Sequence, residues 1–153
     1  MKAGEVMNPK VLTIEVGATV RRAAEVMLEH GVNGLPVVSP DGKLVGVVGI
    51  KDVLRMPRRR PGRSYVVFYP GFERMAQLLN EVLVSEVMSS PVVAVSEEAS
   101  LGEVTTIVLD RGIHPVPVLR EGQMVGVIGR SDLVRAMVAT AGSETASPKE
   151  SES

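Results

Sequence analysis

Apolar residues recur with helical spacing between residues 19 and 30. They stand at positions i, i+3, i+4, i+7 and i+8 of one face, namely Val20, Ala23, Ala24, Met27 and Leu28. This spacing predicts an amphipathic α-helix. Thr19 is a favoured N-cap residue, and Gly31 is the residue type that most often ends a helix. The helix is therefore expected to begin after Thr19 and to end before Gly31.

Two short apolar runs follow this helix, at residues 35–38 and 44–48, on either side of the sequence Ser-Pro-Asp-Gly. Asp-Gly between apolar, β-branched runs is a strong signal for a β-hairpin. A second, short helix is expected to begin near Gly49. With a first strand around residues 13–14, the predicted order of elements is strand, helix, strand, strand, helix.

The same pattern occurs a second time further along the chain. Residues 5–7 align with residues 86–88 at an offset of 81, which falls to 80 after one residue is lost in a turn. Identical residues at the turns and helix ends include the pairs Gly31/Gly112, Pro36/Pro117, Gly46/Gly126, Gly49/Gly129 and Asp52/Asp132. The two copies therefore share a backbone path and not merely a composition.

The sequence predicts an α+β fold of two pseudo-symmetric β-α-β-β-α repeats that pack through their sheets. A repeat of about 50 residues buries too little surface alone, whereas two packed repeats share a core, and the cleft between them is the expected ligand site. Repeat 1 is assigned to residues 3–56 and repeat 2 to residues 84–138. Residues 57–83 are a connector with an amphipathic helix, and the polar residues 139–153 are a predicted disordered tail.

Composition and charge exclude several classes of function. The chain has 153 residues, a net charge of −1, no cysteine, and two histidines, His30 and His114. Cysteine chemistry is therefore absent, and no global basic field favours nucleic acid. No apolar run reaches the length of a membrane helix or of a secretory signal, so a cytoplasmic protein is expected. The glycines do not form a P-loop, and no nucleophile-base arrangement is present, so we expect no enzyme activity.

Motifs in both copies resemble the cystathionine β-synthase-type (CBS) repeat. The first copy has Val-Met-x-Pro, Leu-Pro-Val-Val and Leu-Val-Gly-Val-Val-Gly-Ile-Lys-Asp-Val-Leu, and the second ends in Met-Val-Gly-Val-Ile-Gly-Arg-Ser-Asp-Leu-Val. The resemblance covers residues 3–56 and 84–138. It implies a stand-alone, non-catalytic regulatory pair that binds AMP, ADP, ATP, S-adenosylmethionine or a similar adenosyl ligand, forms a homodimer and regulates a protein partner.

The resemblance also implies a ligand motif, Gly-h-h-Thr/Ser-x-x-Asp, whose carboxylate holds the ribose hydroxyls. Both aspartates, Asp52 and Asp132, are present, whereas glycine (Gly49 and Gly129) replaces both hydroxyl residues. Free amides at the helix N-terminus favour a phosphate. The backbone near Gly49–Lys51 or Gly129–Ser131 is expected to hold that phosphate, with added charge from Lys51 and Arg130. A carboxylate at the third helical position also stabilises the helix dipole with no ligand, so this second interpretation stays open.

In relatives that bind phosphate, a basic residue stands where this chain has Asn33 in repeat 1 and His114 in repeat 2. Only His114 fits, so the two sites are expected to be unequal. The resemblance implies that adenine contacts the first strand and the Pro-Val segment of each repeat. The matching residues are Thr13, Ile14, Leu35, Pro36 and Val37 in repeat 1, and Ala94, Val95, Val116, Pro117 and Val118 in repeat 2.

The connector concentrates charge and aromatic residues. Residues 55–63 hold five arginines, and the four aromatic residues of the chain follow as Tyr65, Phe68, Tyr69 and Phe72. Three uses compete with a simple solvated loop: contacts to a ligand's phosphates, a dimer or partner contact, and single-stranded nucleic-acid binding, which is the least favoured. The alternative function is therefore a structural or partner-binding protein that holds no nucleotide and recognises its partner through the connector.

Overall fold

The computed structural model of the protein describes residues 1–56 and 71–146. The helices are α1 (Ala3–Val6), α2 (Val20–His30), α3 (Ile50–Leu54), α4 (Phe72–Glu81), α5 (Val84–Val87), α6 (Leu101–Arg111) and α7 (Arg130–Ala146). The strands are β1 (Ile14–Glu15), β2 (Gly34–Val38), β3 (Leu44–Gly49), β4 (Val95–Ser96), β5 (Val116–Arg120) and β6 (Gln123–Ile128). The predicted order is confirmed twice, as β1-α2-β2-β3-α3 and β4-α6-β5-β6-α7.

The chain divides into two compact units, and their boundaries do not coincide with the ends of the repeats. The first-repeat unit comprises Leu12–Val93, and the second-repeat unit comprises Met1–Val11 together with the chain from Ala94 onward. Residues 3–11, which open repeat 1 in the sequence, therefore lie in the second-repeat unit. Residues 84–93, which open repeat 2, lie in the first-repeat unit.

Each unit contains one three-stranded sheet with a parallel and an antiparallel pair. In the first-repeat unit the order is β1-β2-β3, and Ile14 pairs with Val37 in parallel while Leu35 pairs with Val48 in antiparallel. The order β4-β5-β6 repeats this arrangement in the second-repeat unit. Both predicted hairpins form, and each turn uses a glycine with positive φ, Gly42 at 83° and Gly122 at 77°, a conformation that residues with a Cβ seldom adopt.

The long helix of each unit begins and ends where the sequence predicts. Thr19 Oγ1 accepts the Arg22 amide at 3.2 Å, and Gly31 ends α2 with a left-handed backbone. In α6 the hydroxyl of Ser100 and the carboxylate of Glu103 cap each other's amides, which satisfies two donors that the helix itself cannot. On the predicted apolar face of α2, Val20, Ala23 and Met27 are buried and Ala24 is half-buried, whereas Leu28 at its end is 76% exposed.

The connector helix predicted near residues 73–84 is α4. Leu78 is almost fully buried on it, and the chain leaves the helix in an extended conformation at Val82, which is also buried. The Arg-rich and aromatic segment falls largely on residues 57–70, which lie outside the described residues.

The predicted disordered tail needs correction at its start. Helix α7 continues to Ala146, eight residues beyond the expected boundary at residue 138. Thr140 donates its hydroxyl to the Ala136 carbonyl at 2.8 Å, and Ser143 donates to the Ala139 carbonyl at 3.1 Å. The polar composition concealed this extension, because small alanines and back-bonded hydroxyls continue a helix without burying bulky side chains. Residues 147–153 lie outside the described residues.

Candidate functional site

A glycine-capped aspartate lies where the last strand of the first-repeat unit passes into a helix. Gly49 is the N-cap of α3, and its amide donates to Asp52 Oδ2 at 2.8 Å. Asp52 is only 8% exposed. The next amide, that of Ile50, donates to the Asn33 carbonyl at 3.0 Å. The loop before β2 and the first turn of α3 are therefore tied together around the carboxylate.

The second-repeat unit has the same cap. The Gly129 amide donates to Asp132 Oδ2 at 2.8 Å. The other carboxylate oxygen, Oδ1, accepts from Arg135 Nη1 at 3.0 Å, and the Arg135 side chain is 74% exposed. Both aspartates thus have the helix-stabilising role that the ligand-free interpretation predicts, and Asp132 also carries an exposed ion pair on its outer oxygen.

The two glycines that replace the expected hydroxyl residues differ in the room around them. A Cβ atom at Gly49 would lie 3.2 Å from the Asn33 carbonyl oxygen, closer than an ordinary contact. A Cβ at Gly129 would meet only Asp132 Oδ2, at an ordinary 3.6 Å. The close approach of two backbone segments therefore favours glycine at position 49, and no such crowding applies at position 129.

The strand pairings bring together the segments that the resemblance assigns to adenine. Ile14 lies beside Val37 in one unit, and Val95 lies beside Val118 in the other. Most of these side chains point into protein, since they belong to the buried set Ile14, Leu35, Pro36, Val37, Val95, Val116, Pro117 and Val118. They are therefore available to a ligand mainly through their backbone groups. Thr13 is exposed and Ala94 is half-buried.

Most of the polar and charged candidates face solvent. Asn33, Lys51, Arg130 and Ser131 are exposed, and His114 is half-buried two residues before β5. Asn33 contributes its backbone carbonyl to the first cap, a role that its side-chain chemistry did not indicate. Each unit thus combines an acidic cap, backbone from two adjacent strands and at least one exposed cation, and this combination suits a ligand with hydroxyl and anionic groups.

The first glycine of each motif, Gly46 or Gly126, has a neighbour that sequence reasoning missed. Met88 packs on Gly46 and Met7 packs on Gly126. The available signal was the presence of both Val-Met and Gly in each repeat, but their contact joins residues far apart in the sequence. These glycines make room for a methionine rather than for a ligand.

Other features of the described residues add no further chemistry. Residues 1–56 and 71–146 contain no group of three or more His, Asp or Glu side chains that could hold a metal ion. No helix within those ranges is long and apolar enough to cross a membrane. A shallow, mostly apolar depression lies between β4 and α6, lined in part by Val95 and Ile107, and it includes neither Gly129 nor Asp132.

Comparisons with known proteins point to one family. The model of the CBS domain matches residues 3–59 and 84–139. The chain is 30% identical to the chloroplastic CBS domain-containing protein CBSX1 of Arabidopsis thaliana over 147 residues, which cover 87% of this chain. The match spans 62% of CBSX1, less than two thirds of its length.

Two solved structures share the fold. The CBS domain of a CBS domain-containing membrane protein from Sphaerobacter thermophilus is 29% identical, with a TM-score of 0.67 over 88% of this chain and 86% of that one. CBSX2 from Arabidopsis thaliana, solved in complex with AMP, is 23% identical, with a TM-score of 0.70 over 92% of this chain and 98% of that one.

Proposed function

The chain belongs to the CBS domain family, and from this we propose that it is a non-catalytic regulatory module that binds an adenosine-containing ligand of the AMP, ADP, ATP or S-adenosylmethionine type. Proteins with paired CBS domains are generally regulatory. The observation that carries the proposal is the glycine-capped aspartate, which occurs at the same point of both units. The AMP complex of CBSX2 supports the choice of ligand class.

The carboxylates can serve the cap and a ribose together. A carboxylate has about four acceptor positions, so the bond from the cap amide does not by itself saturate it. In the second-repeat unit the Arg135 guanidinium occupies part of Asp132 Oδ1. Exposed ion pairs of this kind contribute little to stability, so a ribose hydroxyl can displace Arg135 at small cost.

The two units are expected to differ in their affinity for phosphate. Helix α7 has 17 residues, whereas α3 has 5, and a longer helix presents a more complete dipole at its N-terminus. The exposed Arg130 and the half-buried His114 add positive charge or donors in the second-repeat unit. We therefore expect the phosphate-bearing ligand to bind more tightly there.

Calorimetric titration with AMP, ADP, ATP, S-adenosylmethionine and NAD tests the proposal. Wild type should bind at least one of them, Asp132→Ala should weaken the tighter site, and the double variant with Asp52→Ala should abolish binding. Asp110→Ala, an exposed aspartate on α6, is the matched control and should bind like wild type. If none of the five ligands binds at millimolar concentration, the module is not an adenosyl sensor.

We also propose that the protein is a homodimer and that ligand binding acts on a protein partner through it. Exposed apolar side chains on α6 and α7 support a contact between copies: Leu109, Val134, Met137 and Val138 are each more than half exposed. Solvent-exposed apolar groups in such number favour association. Light scattering should give the mass of a dimer for wild type and of a monomer for Leu109→Lys with Met137→Lys.

The second candidate function is recognition of a partner through the connector without any nucleotide. Phe72, the last aromatic residue of the connector, stands at the start of α4 and is 81% exposed. This exposure favours a contact surface there. Joint replacement of Arg58, Arg59 and Arg60 by alanine should then alter partner binding or oligomer mass and leave AMP affinity unchanged. We further propose that the protein is cytoplasmic.

A further inference from the structure

The methionine that opens each repeat packs against a glycine of the other repeat. A Cβ at Gly126 in β6 would lie 2.7 Å from Met7 Cγ and even closer to its sulfur. A Cβ at Gly46 in β3 would lie 2.7 Å from Met88 Sδ. Neither glycine has a positive φ, so the room for methionine, and not the backbone conformation, requires glycine at these two strand positions.

A backbone bridge follows each of these contacts directly. Asn8 and Val127 exchange two hydrogen bonds, at 2.8 and 3.1 Å. Ser89 and Val47 do the same, at 2.9 and 3.2 Å. Because β6 and β3 are the outer strands of their sheets, each bridge pairs the edge that the sheet itself leaves open.

The opening segments are anchored on both sides of the methionine. Ala3 donates its amide to the Ala99 carbonyl at 2.7 Å, and the Ala3 side chain is fully buried in the core of the second-repeat unit. Val84, its counterpart, donates to the Ala18 carbonyl at 2.8 Å and is equally buried in the first-repeat unit. Each segment is therefore a fixed part of the unit that it joins.

These contacts lie close to the candidate ligand sites. Val127 stands two residues before Gly129, and Val47 stands two residues before Gly49. At about 3.3 Å per strand residue, each bridge is roughly 7 Å along the strand from the cap that holds the aspartate. A shift of the outer strand is therefore transmitted to the cap over a short, extended piece of backbone.

We propose that Met7 and Met88 are positioning residues that act crosswise: each sets the outer strand, and hence the ligand affinity, of the site in the other repeat. This inference rests on the proposed function and adds its regulation. A displacement of residues 1–11 changes the ligand affinity of the Gly129–Asp132 site. A displacement of the connector changes that of the Gly49–Asp52 site through α4 and α5. Two inputs at different points of the chain thus control two different sites.

AMP titrations in single-site backgrounds test the crosswise assignment. Asp52→Ala leaves the second-repeat site, and Asp132→Ala leaves the first-repeat site. Met7→Ala should weaken AMP binding by about tenfold in the Asp52→Ala background, a factor equivalent to about 1.4 kcal/mol, and should have no effect in the Asp132→Ala background. Met88→Ala should show the reverse pattern. Met7→Leu, which fills the same space, should restore the affinity.

A second measurement separates this inference from the proposed function. The Gly129 and Gly49 amides both donate to a cap carboxylate, so their hydrogen exchange reports the caps without any ligand. Met7→Ala should accelerate exchange at Gly129 alone, and Met88→Ala at Gly49 alone. If wild type binds none of the five adenosyl ligands, the proposed function fails, and the exchange pattern still decides the positioning role. Equal effects on both amides, or effects within the same repeat, would overturn that role.

Discussion

The contact between Met7 and Gly126 predicts a compensating pair of substitutions. Gly126→Ala alone places a methyl group where Met7 now lies, and such overpacking costs about 1–3 kcal/mol. Met7 is half-buried, so Met7→Ala should lose about 1 kcal/mol of apolar burial, less than the value for a fully buried side chain. In the double variant the sulfur and Cγ of Met7 are gone, and of the Met7 side chain only its Cβ remains, which would lie 2.9 Å from the new methyl group and has to shift slightly. The double variant should therefore lose about 1 kcal/mol less free energy of unfolding than the two single variants lose together.

The equivalent pair in the other unit is a matched comparison with a different expected result. A Cβ at Gly46 would meet Met88 Sδ and also the Ser89 carbonyl oxygen, at 2.9 Å. Truncation of Met88 removes one contact shorter than 3.0 Å and leaves that carbonyl in place, whereas truncation of Met7 removes two such contacts, so the recovery in the Gly46→Ala double variant should be smaller. Urea unfolding followed by circular dichroism gives the four free energies of unfolding for each cycle. Additive losses at Gly126 and Met7, or an equal or larger recovery at Gly46 and Met88, would refute the interpretation of these glycines.

Two further predictions concern the cap and the acid sensitivity of the second-repeat unit. Gly129→Ser should be tolerated and Gly49→Ser should lower the melting temperature, because only the latter brings a Cβ against the Asn33 carbonyl oxygen; equal melting temperatures would contradict this. The hydrogen bond from Arg120 lowers the pKa of Glu97 below its ordinary value of 4.5, so the stability that Glu97 contributes is complete above that pH and is lost as the pH falls through the lowered pKa. Between pH 7 and about pH 3, the free energy of unfolding should therefore fall more steeply for wild type than for Glu97→Gln.

Local patterns were enough to predict each repeat. The cap at Thr19 and the end at Gly31 depend on neighbours within four residues and occur as predicted, and the same features recur at Ser100 and Gly112 in the second copy. The hairpins likewise follow from a turn and two adjacent apolar runs. The candidate aspartates were also identified from the sequence, through its resemblance to the CBS ligand motif, which both copies carry with glycine in place of the hydroxyl residue.

Burial is where the predictions from sequence were least complete. Leu28 has the spacing of a core residue and is exposed, since a helical face wider than its contact with the sheet leaves its margin in solvent. The valines of the Pro-Val segments were expected at a ligand, and their side chains lie in the protein interior. Consecutive residues of β2 and β5 are buried on both faces of the strand, and only the packing around each sheet decides this.

The sequence by itself determined that the chain contains two copies of one β-α-β-β-α repeat, because glycine positions, helix periods and hairpin turns are encoded within short windows. The tertiary structure decided that each repeat completes the other, with Met7 on Gly126 and Met88 on Gly46. A contact between residues more than 40 positions apart leaves no periodic trace in either segment. It exists because the outer strand of each sheet has an open edge, and the segment that satisfies this edge comes from the other copy.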